Sequence, residues 1–308
     1  MQWLSDCELN ERIHLVLTNH ASQRISSDLG QFSLAGAQAK IALYRSPTTG
    51  AWGIPREMTP TTHILKPAPP SFPGFVENEH FCLSLAADLG ITTARSKVIH
   101  ADDTPVIVVT RYDRHLAGDQ YIRIHQEDFC QARAIFPDLK YQSDGGPSVA
   151  DIANTLWDVS TDALTDIRSF ADALLLNFLI CGTDAHAKNF SLLLAGNNQV
   201  RLAPLYDIAS ALPYPLQISP HKAKLAMKIG SDYHIKKIQP RHWQVCAKQL
   251  RLPPGTLIER LHDMTQRLET VAPAVANDLN RQGLSHPIVQ MLSESISKRA
   301  SELLAHYF

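Results

Sequence analysis

The stretch Gly182-Thr183-Asp184-Ala185-His186-Ala187-Lys188-Asn189, followed by Leu205-Tyr206-Asp207-Ile208, decides how this chain is interpreted. It places an aspartate, four further residues and an asparagine in one polar loop, with a second aspartate beyond a predicted hairpin. One carboxylate can orient a hydroxyl that accepts a phosphoryl group, while an amide oxygen and another carboxylate can hold Mg²⁺. Taken alone, the six residues from Asp184 to Asn189 are also typical of an ordinary polar loop.

Residues upstream of this loop occur in the order in which protein kinases use them. Asp184 and Asn189 have the D-x-x-x-x-N spacing of a kinase catalytic loop. Lys66 ends a predicted buried strand, where a kinase keeps its phosphate-pairing lysine, although a lone strand lysine is usually solvated. Glu79 or Glu77 on the next predicted helix could pair with it, and their spacing of two puts them on different faces. The ordered set predicts phosphoryl transfer.

A loop of small residues, Ser33-Leu34-Ala35-Gly36-Ala37-Gln38-Ala39-Lys40, joins two predicted strands ahead of Lys66. Small side chains let backbone N–H groups approach phosphate oxygens. The loop has neither the Walker A pattern nor G-x-G-x-x-G, so on its own it is also consistent with an ordinary hairpin turn. Its position in the series makes it a candidate phosphate-binding loop.

A metal-dependent hydrolase is an alternative interpretation of the same loop. His186 with Asp184 and Asp207 would supply imidazole and carboxylate ligands. This hypothesis is less favoured, because it leaves Asn189 and Lys66 without a role.

Composition limits the class of protein. The 308 residues are 44% hydrophobic and 19% charged, enough for a large core, and the net charge of −1 argues against nucleic-acid binding through an overall positive field. Five scattered cysteines without a C-x-x-C pair predict reduced thiols in a cytoplasmic protein. The first residues lack a signal-peptide pattern. The longest apolar run, residues 173–181, is too short to span a membrane, so no membrane association is expected.

Periodicity predicts a mixed α/β (α+β) chain with a β-rich front third and a helical remainder. The boundary is predicted near 111–114, giving domains 1–112 and 113–308. Strands are expected within 32–43, at 62–66 and at 106–110, and a hairpin at 191–194 and 199–202. Helices are expected near the N-terminus, at 77–89 with Gly90 as the stop, at 148–157 and at 162–181. Beyond about residue 240, helical segments are expected to alternate with proline breaks.

At these residues the chain resembles the HipA family of toxin serine/threonine kinases. The matching segments are SLAGAQAK (33–40), MTPTTHI (58–64), QEDFCQ (126–131), KYQSDGGP (140–147), TDAHAKNF (183–190), YDI (206–208) and KLAM (224–227). The resemblance covers most of the chain. It implies a bilobal protein-kinase-like fold, with a small β-rich N-lobe and a larger helical C-lobe.

The resemblance also implies roles for the matching residues, with ATP and Mg²⁺ as cofactors. Ser33 would be autophosphorylated, Asp184 would be the catalytic aspartate, and Asn189 and Asp207 would be the magnesium ligands. The remaining nucleotide contacts would come from Ala35, Gly36, Ala37, Gln38, Ala39, Lys40, Lys66, Thr110, Arg111, Tyr112, His186, Ala187, Lys188 and Tyr206.

One feature departs from the long members of that family, which carry a separate subdomain before the small-residue loop. Only 32 residues precede Ser33 here. In this respect the chain resembles the short HipT-type toxin, whose missing subdomain is supplied by a small protein, HipS, beside a helix-turn-helix antitoxin, HipB. HipB-like and HipS-like partners are therefore implied, with operator DNA reached only through the antitoxin. An aminoacyl-tRNA synthetase substrate is also implied, glutamyl for long members and tryptophanyl for the short type.

Three functions follow from this sequence. The favoured one is a non-specific serine/threonine protein kinase that blocks translation by phosphorylating a tRNA synthetase. The alternative is a catalytically silent ATP-binding module that helps an antitoxin repress its operon. A small-molecule kinase would share the same core and differ only in its acceptor pocket.

Overall fold

The computed structural model describes residues 1–18, 38–56, 58–69, 72–118, 120–219 and 222–308. Contacts divide the chain into two compact units. The first comprises Met1–His80 and Ala94–Ile124, and the second comprises Phe81–Thr93 and His125–Phe308.

The first unit is built on a six-stranded antiparallel sheet with the order β1-β3-β2-β4-β6-β5. Its elements in chain order are β1 (Gln2–Trp3), α1 (Asp6–Thr18), β2 (Ile41–Arg45), β3 (Trp52–Ile54), β4 (His63–Pro67), α2 (Phe75–Asp88), β5 (Ser96–Ala101) and β6 (Thr104–Thr110). A separate hairpin follows, formed by β7 (Arg114–Ala117) and β8 (Gln120–Arg123). Helix α2 begins in this unit and runs on into the second.

The core of the first unit lies between α1 and the sheet. Leu9 and Ile13 recur at helical spacing on one face of α1, and both are buried. They belong to one apolar cluster with Leu43, Leu65 and other strand residues. These residues shield one face of the sheet from solvent. Lys66 lies in β4 directly after the buried Leu65.

The second unit combines helices with two small sheets. Its elements are β9 (His125–Asp128), α3 (Phe129–Ala132), α4 (Val149–Val159), α5 (Ala163–Leu179), β10 (Ser191–Ala195), β11 (Gln199–Leu202), β12 (Lys224–Ile229), β13 (Asp232–His234), α6 (Pro240–Gln249), α7 (Thr256–Arg281) and α8 (Pro287–His306). Strands β9, β10 and β11 form one antiparallel sheet with β10 in the centre, and β12 pairs with β13.

Helix α5 is the central element of the second unit. It contacts α4, α7 and α8, and nearly all of its C-terminal half is buried. Phe178 packs edge-on against Trp243 of α6, with ring centroids 5.5 Å apart. Because α5 is enclosed by other helices, its C-terminal end is a rigid support for whatever follows it.

Most predicted elements are confirmed, because local signals specify them. Gly90 follows α2 with a positive φ of 88°, the left-handed conformation that ends helices. Ser148 and Asp162 cap α4 and α5 through their side chains. The hairpin of β10 and β11 is also where the pattern predicts it.

The expectation of proline breaks beyond residue 240 is wrong at one position. Pro240 and Pro287 begin α6 and α8, as the pattern requires, but Pro273 lies inside α7, which continues to Arg281. An internal proline costs a helix about 3 kcal/mol. The apolar face of α7 continues on both sides of it, with Leu268 and Val275 buried, and this packing outweighs the lost hydrogen bond.

The division by contacts differs from the predicted limits of 1–112 and 113–308. Residues 113–124 belong to the first unit because the hairpin of β7 and β8 is bonded to it: Arg114 Nε donates to the Thr61 carbonyl at 2.9 Å. Residues 81–93 belong to the second unit, where Arg267 Nη1 donates to the Leu89 carbonyl at 3.0 Å. Across the described residues, no helix combines the length and the apolar character needed to cross a membrane.

Candidate active site

The loop that carries Asp184 begins at the C-terminal end of α5. Cys181 adopts a positive φ of 54°, and the Gly182 N–H donates to the Asn177 carbonyl at 2.7 Å. A Cβ atom on Gly182 would lie 2.1 Å from Asn177 Oδ1. A larger residue here would therefore have to displace the Asn177 amide, which favours glycine at the start of the loop.

Asp184 is exposed and receives a hydrogen bond from a residue that the sequence analysis did not single out. The Tyr141 hydroxyl donates to Asp184 Oδ1. Burial raises the pKa of Tyr141, and its hydrogen bond to the Asp184 carboxylate raises it further. The phenol therefore remains a donor to Asp184 at physiological pH.

His186 is buried beside this pair. Its ring lies edge-on to the Tyr141 ring at a centroid distance of 5.0 Å. Burial lowers the pKa of His186, while the negative charge of Asp184 opposes that shift. The imidazole is accordingly neutral at pH 7. Among the described residues, its Nδ1 atom finds no hydrogen-bond partner.

Asn189 and Asp207 lie together at the other end of the loop. The Asn189 amide nitrogen donates to the Asp207 carbonyl at 3.3 Å. Asn189 is buried, and its Oδ1 atom accepts no hydrogen bond from any described residue. A buried amide oxygen without a donor is costly unless a cation or a ligand donor satisfies it. The amide oxygen of Asn189, with Asp207 beside it, is therefore a set of oxygen ligands of the kind that Mg²⁺ prefers.

The backbone at Asp207 is held in a strained conformation. Its φ of 57° is one that aspartate tolerates better than most residues. The segment that follows is tied to α5, since the Ser210 hydroxyl donates to the Ile180 carbonyl at 2.6 Å and the Ala211 N–H donates to the Cys181 carbonyl at 3.1 Å. The end of α5 thus supports both the Asp184 loop and the Asp207 segment.

Lys188, a predicted nucleotide contact, forms an ion pair with Asp128 at 2.5 Å, and both side chains are largely buried. Asp128 also caps α3 by accepting from two backbone N–H groups. The Tyr206 hydroxyl donates to the Lys188 carbonyl at 2.7 Å. These bonds join the loop to β9 and to the Asp207 segment, while the adjacent Ala187 is fully buried.

In the first unit, Lys66 and Glu79 form a buried ion pair. Lys66 Nζ lies 2.7 Å from Glu79 Oε1, and the side chains are only 8% and 1% exposed. The structure therefore selects Glu79 over Glu77 as the partner of Lys66. The sequence does not show which of the two faces Lys66, and burial does not separate them, because both are buried.

The remaining predicted nucleotide contacts also belong to the first unit. Gln38 Nε2 donates to the Pro67 carbonyl at 3.5 Å, and Lys40 is buried. Arg111 binds both carboxylate oxygens of Asp113, at 3.0 and 2.7 Å. The structure also describes Ala39, Thr110 and Tyr112. Four predicted residues lie outside the described part of the chain, namely Ser33, Ala35, Gly36 and Ala37.

The hydrolase hypothesis gains no support from this geometry. Among the described residues, no three His, Cys, Asp or Glu side chains are grouped as a metal site would require. The arrangement around Asp184, Asn189 and Asp207 instead offers one exposed carboxylate and a separate pair of oxygen-bearing residues.

The site residues that sequence reasoning missed are Tyr141 and Asp128. Tyr141 is separated from Asp184 by 43 positions and Asp128 from Lys188 by 60. Both lie in segments, 140–147 and 126–131, that the sequence analysis had singled out for their family resemblance. Nothing in the sequence signals either contact, because each depends on the tertiary fold.

Comparison with known proteins identifies similar chains. The model of the HipA-like C-terminal domain matches residues 32–272. The Sinorhizobium fredii protein called "Putative kinase Y4mE" is 36% identical over 271 residues, which cover 88% of this chain and 63% of that protein. The serine/threonine-protein kinase toxin HipA of Shewanella oneidensis is 27% identical over 250 residues, covering 77% of this chain and 56% of that protein. The chain thus spans less than two thirds of the length of these relatives.

Two solved structures share the fold. A complex of Shewanella oneidensis HipA, HipB and operator DNA matches 99% of this chain and 72% of that one, with a TM-score of 0.80 and 21% identity. The Helicobacter pylori proinflammatory kinase CtkA matches 92% of both chains, with a TM-score of 0.55 and 12% identity. The predicted protein-kinase-like α/β fold is confirmed.

Proposed function

Since this chain belongs to the family of HipA-like C-terminal domains, we propose that it is a serine/threonine protein kinase that uses ATP and Mg²⁺. The observation that carries the proposal is the arrangement around the loop after α5. Asp184 is exposed and hydrogen-bonded, while the buried Asn189 is bonded to the backbone of Asp207. These are the residue types that phosphoryl transfer to a hydroxyl requires.

Each residue has a distinct task in this proposal. Asp184 accepts the hydrogen bond of the acceptor hydroxyl and takes its proton as the phosphoryl group is transferred. The oxygens of Asn189 and Asp207 would hold Mg²⁺, which supplies charge neutralisation to the phosphates when bound. Lys66, fixed by Glu79, would contact the nucleotide phosphates.

The biological role is proposed from the relatives. One relative is named a serine/threonine-protein kinase toxin, and a structural neighbour was solved with HipB and operator DNA. We therefore assign this chain to a toxin–antitoxin system, with a HipB-like antitoxin as partner and DNA contacted only through it. A HipS-like small protein and a cytoplasmic location complete this proposal.

The proposed substrate is an aminoacyl-tRNA synthetase, of the tryptophanyl or glutamyl type. Phosphorylation of the synthetase would stop aminoacylation and so inhibit translation. Ser33, in the small-residue loop, is the proposed site of self-phosphorylation. A phosphate there would add about −1.5 to −2 charges, and this negative charge would oppose binding of ATP.

Radiolabelled ATP incubated with a panel of purified tRNA synthetases tests the proposal. Wild type should label one synthetase and itself, with the self-label mapped to Ser33 by mass spectrometry. Asp184→Asn keeps the side-chain shape but removes the charge, so transfer should fall by about 10²–10⁴-fold with ATP binding kept. Asp158→Asn, at an exposed position on α4, is the matched control and should transfer at the wild-type rate.

The outcomes separate the candidate functions. ATP binding by wild type without transfer to any protein would reject the kinase and favour the silent module. Full activity of Asp184→Asn would reject the assigned acceptor-orienting residue. Labelling of a synthetase with Ser33 unmodified would reject self-phosphorylation alone.

A further inference from the structure

We propose that Tyr141 is a positioning residue that holds the Asp184 carboxylate in the orientation needed to receive the acceptor hydroxyl. This inference rests on the proposed kinase function. It is carried by the hydrogen bond from the Tyr141 hydroxyl to Asp184 Oδ1. Nothing in the spacing of the catalytic loop assigns a role to this tyrosine.

An exposed aspartate needs an external restraint. Asp184 lies on a loop and is exposed, so its carboxylate can rotate unless another group fixes it. A carboxylate has two oxygens and can accept several hydrogen bonds. Tyr141 engages one oxygen, and the second is then directed to the acceptor. The rate of a reaction depends strongly on the orientation of the reacting groups, and a small misplacement can lower it by about 100-fold.

Tyr141 is itself held firmly, as a positioning residue must be. Its ring lies edge-on to the buried His186 at 5.0 Å, and Lys140 Nζ lies over the ring at 5.1 Å from its centroid. The Lys140 carbonyl accepts from the Ala187 N–H at 3.2 Å. On the other side, Gln142 Oε1 accepts from the Lys228 N–H of β12 at 2.8 Å. The residues on either side of Tyr141 are thus bonded to the catalytic loop and to β12.

The direction of the hydrogen bond is also settled. Burial and the neighbouring carboxylates of Asp184 and Asp144 raise the pKa of Tyr141, so its hydroxyl stays protonated over the working pH range. A protonated phenol donates to an ionised carboxylate, and such charge-assisted bonds are the strong ones. Tyr141 therefore holds the Asp184 carboxylate by donating to one of its oxygens.

The decisive variant is Tyr141→Phe, which deletes the hydroxyl and keeps the ring between His186 and Lys140. Transfer of radiolabel from ATP to purified tryptophanyl-tRNA synthetase and to the chain itself is the readout. We expect kcat to fall about 10- to 100-fold, while KM for ATP stays within about twofold of wild type. In an Asp184→Asn background, Tyr141→Phe should have almost no further effect, because the hydroxyl acts through the carboxylate.

Tyr307→Phe is the matched control. It removes a hydroxyl that accepts from the Trp243 Nε1 atom at 2.9 Å, beyond the end of α8. We expect its kcat to be that of wild type, even if its melting temperature falls. A merely structural role of Tyr141 would instead lower the melting temperature of Tyr141→Phe and would add to the loss caused by Asp184→Asn.

Several results would overturn the inference. Wild-type kcat in Tyr141→Phe rejects it while leaving the kinase proposal standing. Radiolabel found on Tyr141 by mass spectrometry also rejects it, because the hydroxyl would then be an acceptor. No transfer by wild type to the synthetase or to itself rejects the proposed function and this inference together.

Discussion

Replacement of Lys66 by methionine should destabilise the first unit strongly, apart from its proposed role in ATP binding. Methionine has a similar length but carries no charge. It leaves the Glu79 carboxylate, which is 1% exposed, without the ammonium group that lies 2.7 Å away. The cost therefore arises from a buried carboxylate that has lost this ammonium group.

The size of the effect follows from the geometry. Two unit charges separated by 2.7 Å attract each other by about 6 kcal/mol at an effective dielectric constant of about 20. Desolvation of both ions offsets much of this attraction in the intact pair. Removing one partner is different, since the other stays buried, and such changes typically cost about 3–5 kcal/mol. We expect Lys66→Met to fall in that range.

Urea unfolding monitored by circular dichroism measures the change. The double variant Lys66→Met/Glu79→Leu removes both charges and should recover most of the lost stability. Arg281→Met is the control, because it breaks an exposed ion pair with Asp278 and should change stability by less than about 0.5 kcal/mol. A loss below about 1 kcal/mol in Lys66→Met, or no recovery in the double variant, would refute the reasoning.

Three further predictions address other parts of the molecule. Gly182→Ala should lower stability by about 1–3 kcal/mol in urea unfolding, since its Cβ would meet Asn177 Oδ1, and that amide is held by a bond to the Ala173 carbonyl; an unchanged midpoint would contradict this. Burial lowers the pKa of His80 to about 4, below its unfolded value near 6.5, so its contribution to stability is complete above pH 6.5 and is lost as pH falls towards 4. Wild type should therefore lose about 2 kcal/mol more than His80→Gln between pH 7 and pH 5, and equal losses would reject the assignment. Asp207→Ala should weaken ATP binding measured calorimetrically with Mg²⁺ but not without it, and an equal effect in both conditions would count against Asp207 as a magnesium ligand.

The elements that could be predicted from sequence are those with local chemical signals. Helix α5 has a capping aspartate, Asp162, and an apolar stripe, and Gly90 marks the end of α2. Strands β7 and β8 carried no such signal. Their residues are mostly exposed and polar, so no apolar alternation distinguishes them from a loop. What makes them part of the first unit is the bonding of their arginines, which sequence periodicity does not encode.

The sequence predicts which residues form the candidate site but not the contacts between them. The order of Lys66, Asp184, Asn189 and Asp207 along the chain predicts the proposed chemistry. The choice of Glu79 over Glu77 needed the direction in which α2 presents its side chains. The contacts of Lys188 with Asp128 and of Tyr141 with Asp184 form only when segments far apart in sequence pack together, so the sequence does not reveal them.

The attachment of the Asp184 loop and the Asp207 segment to the end of α5 has a consequence for how the proposed activity would be lost. Carbonyl groups of Asn177, Ile180 and Cys181 accept the bonds that shape the Asp184 loop and the Asp207 segment. Regions that open independently have few buried contacts, and α5 is the opposite. Amide hydrogen exchange at Gly182 and Ala211 should therefore be as slow as in the helix core. Heating should therefore not release the Asp184 loop or the Asp207 segment before the second unit itself melts.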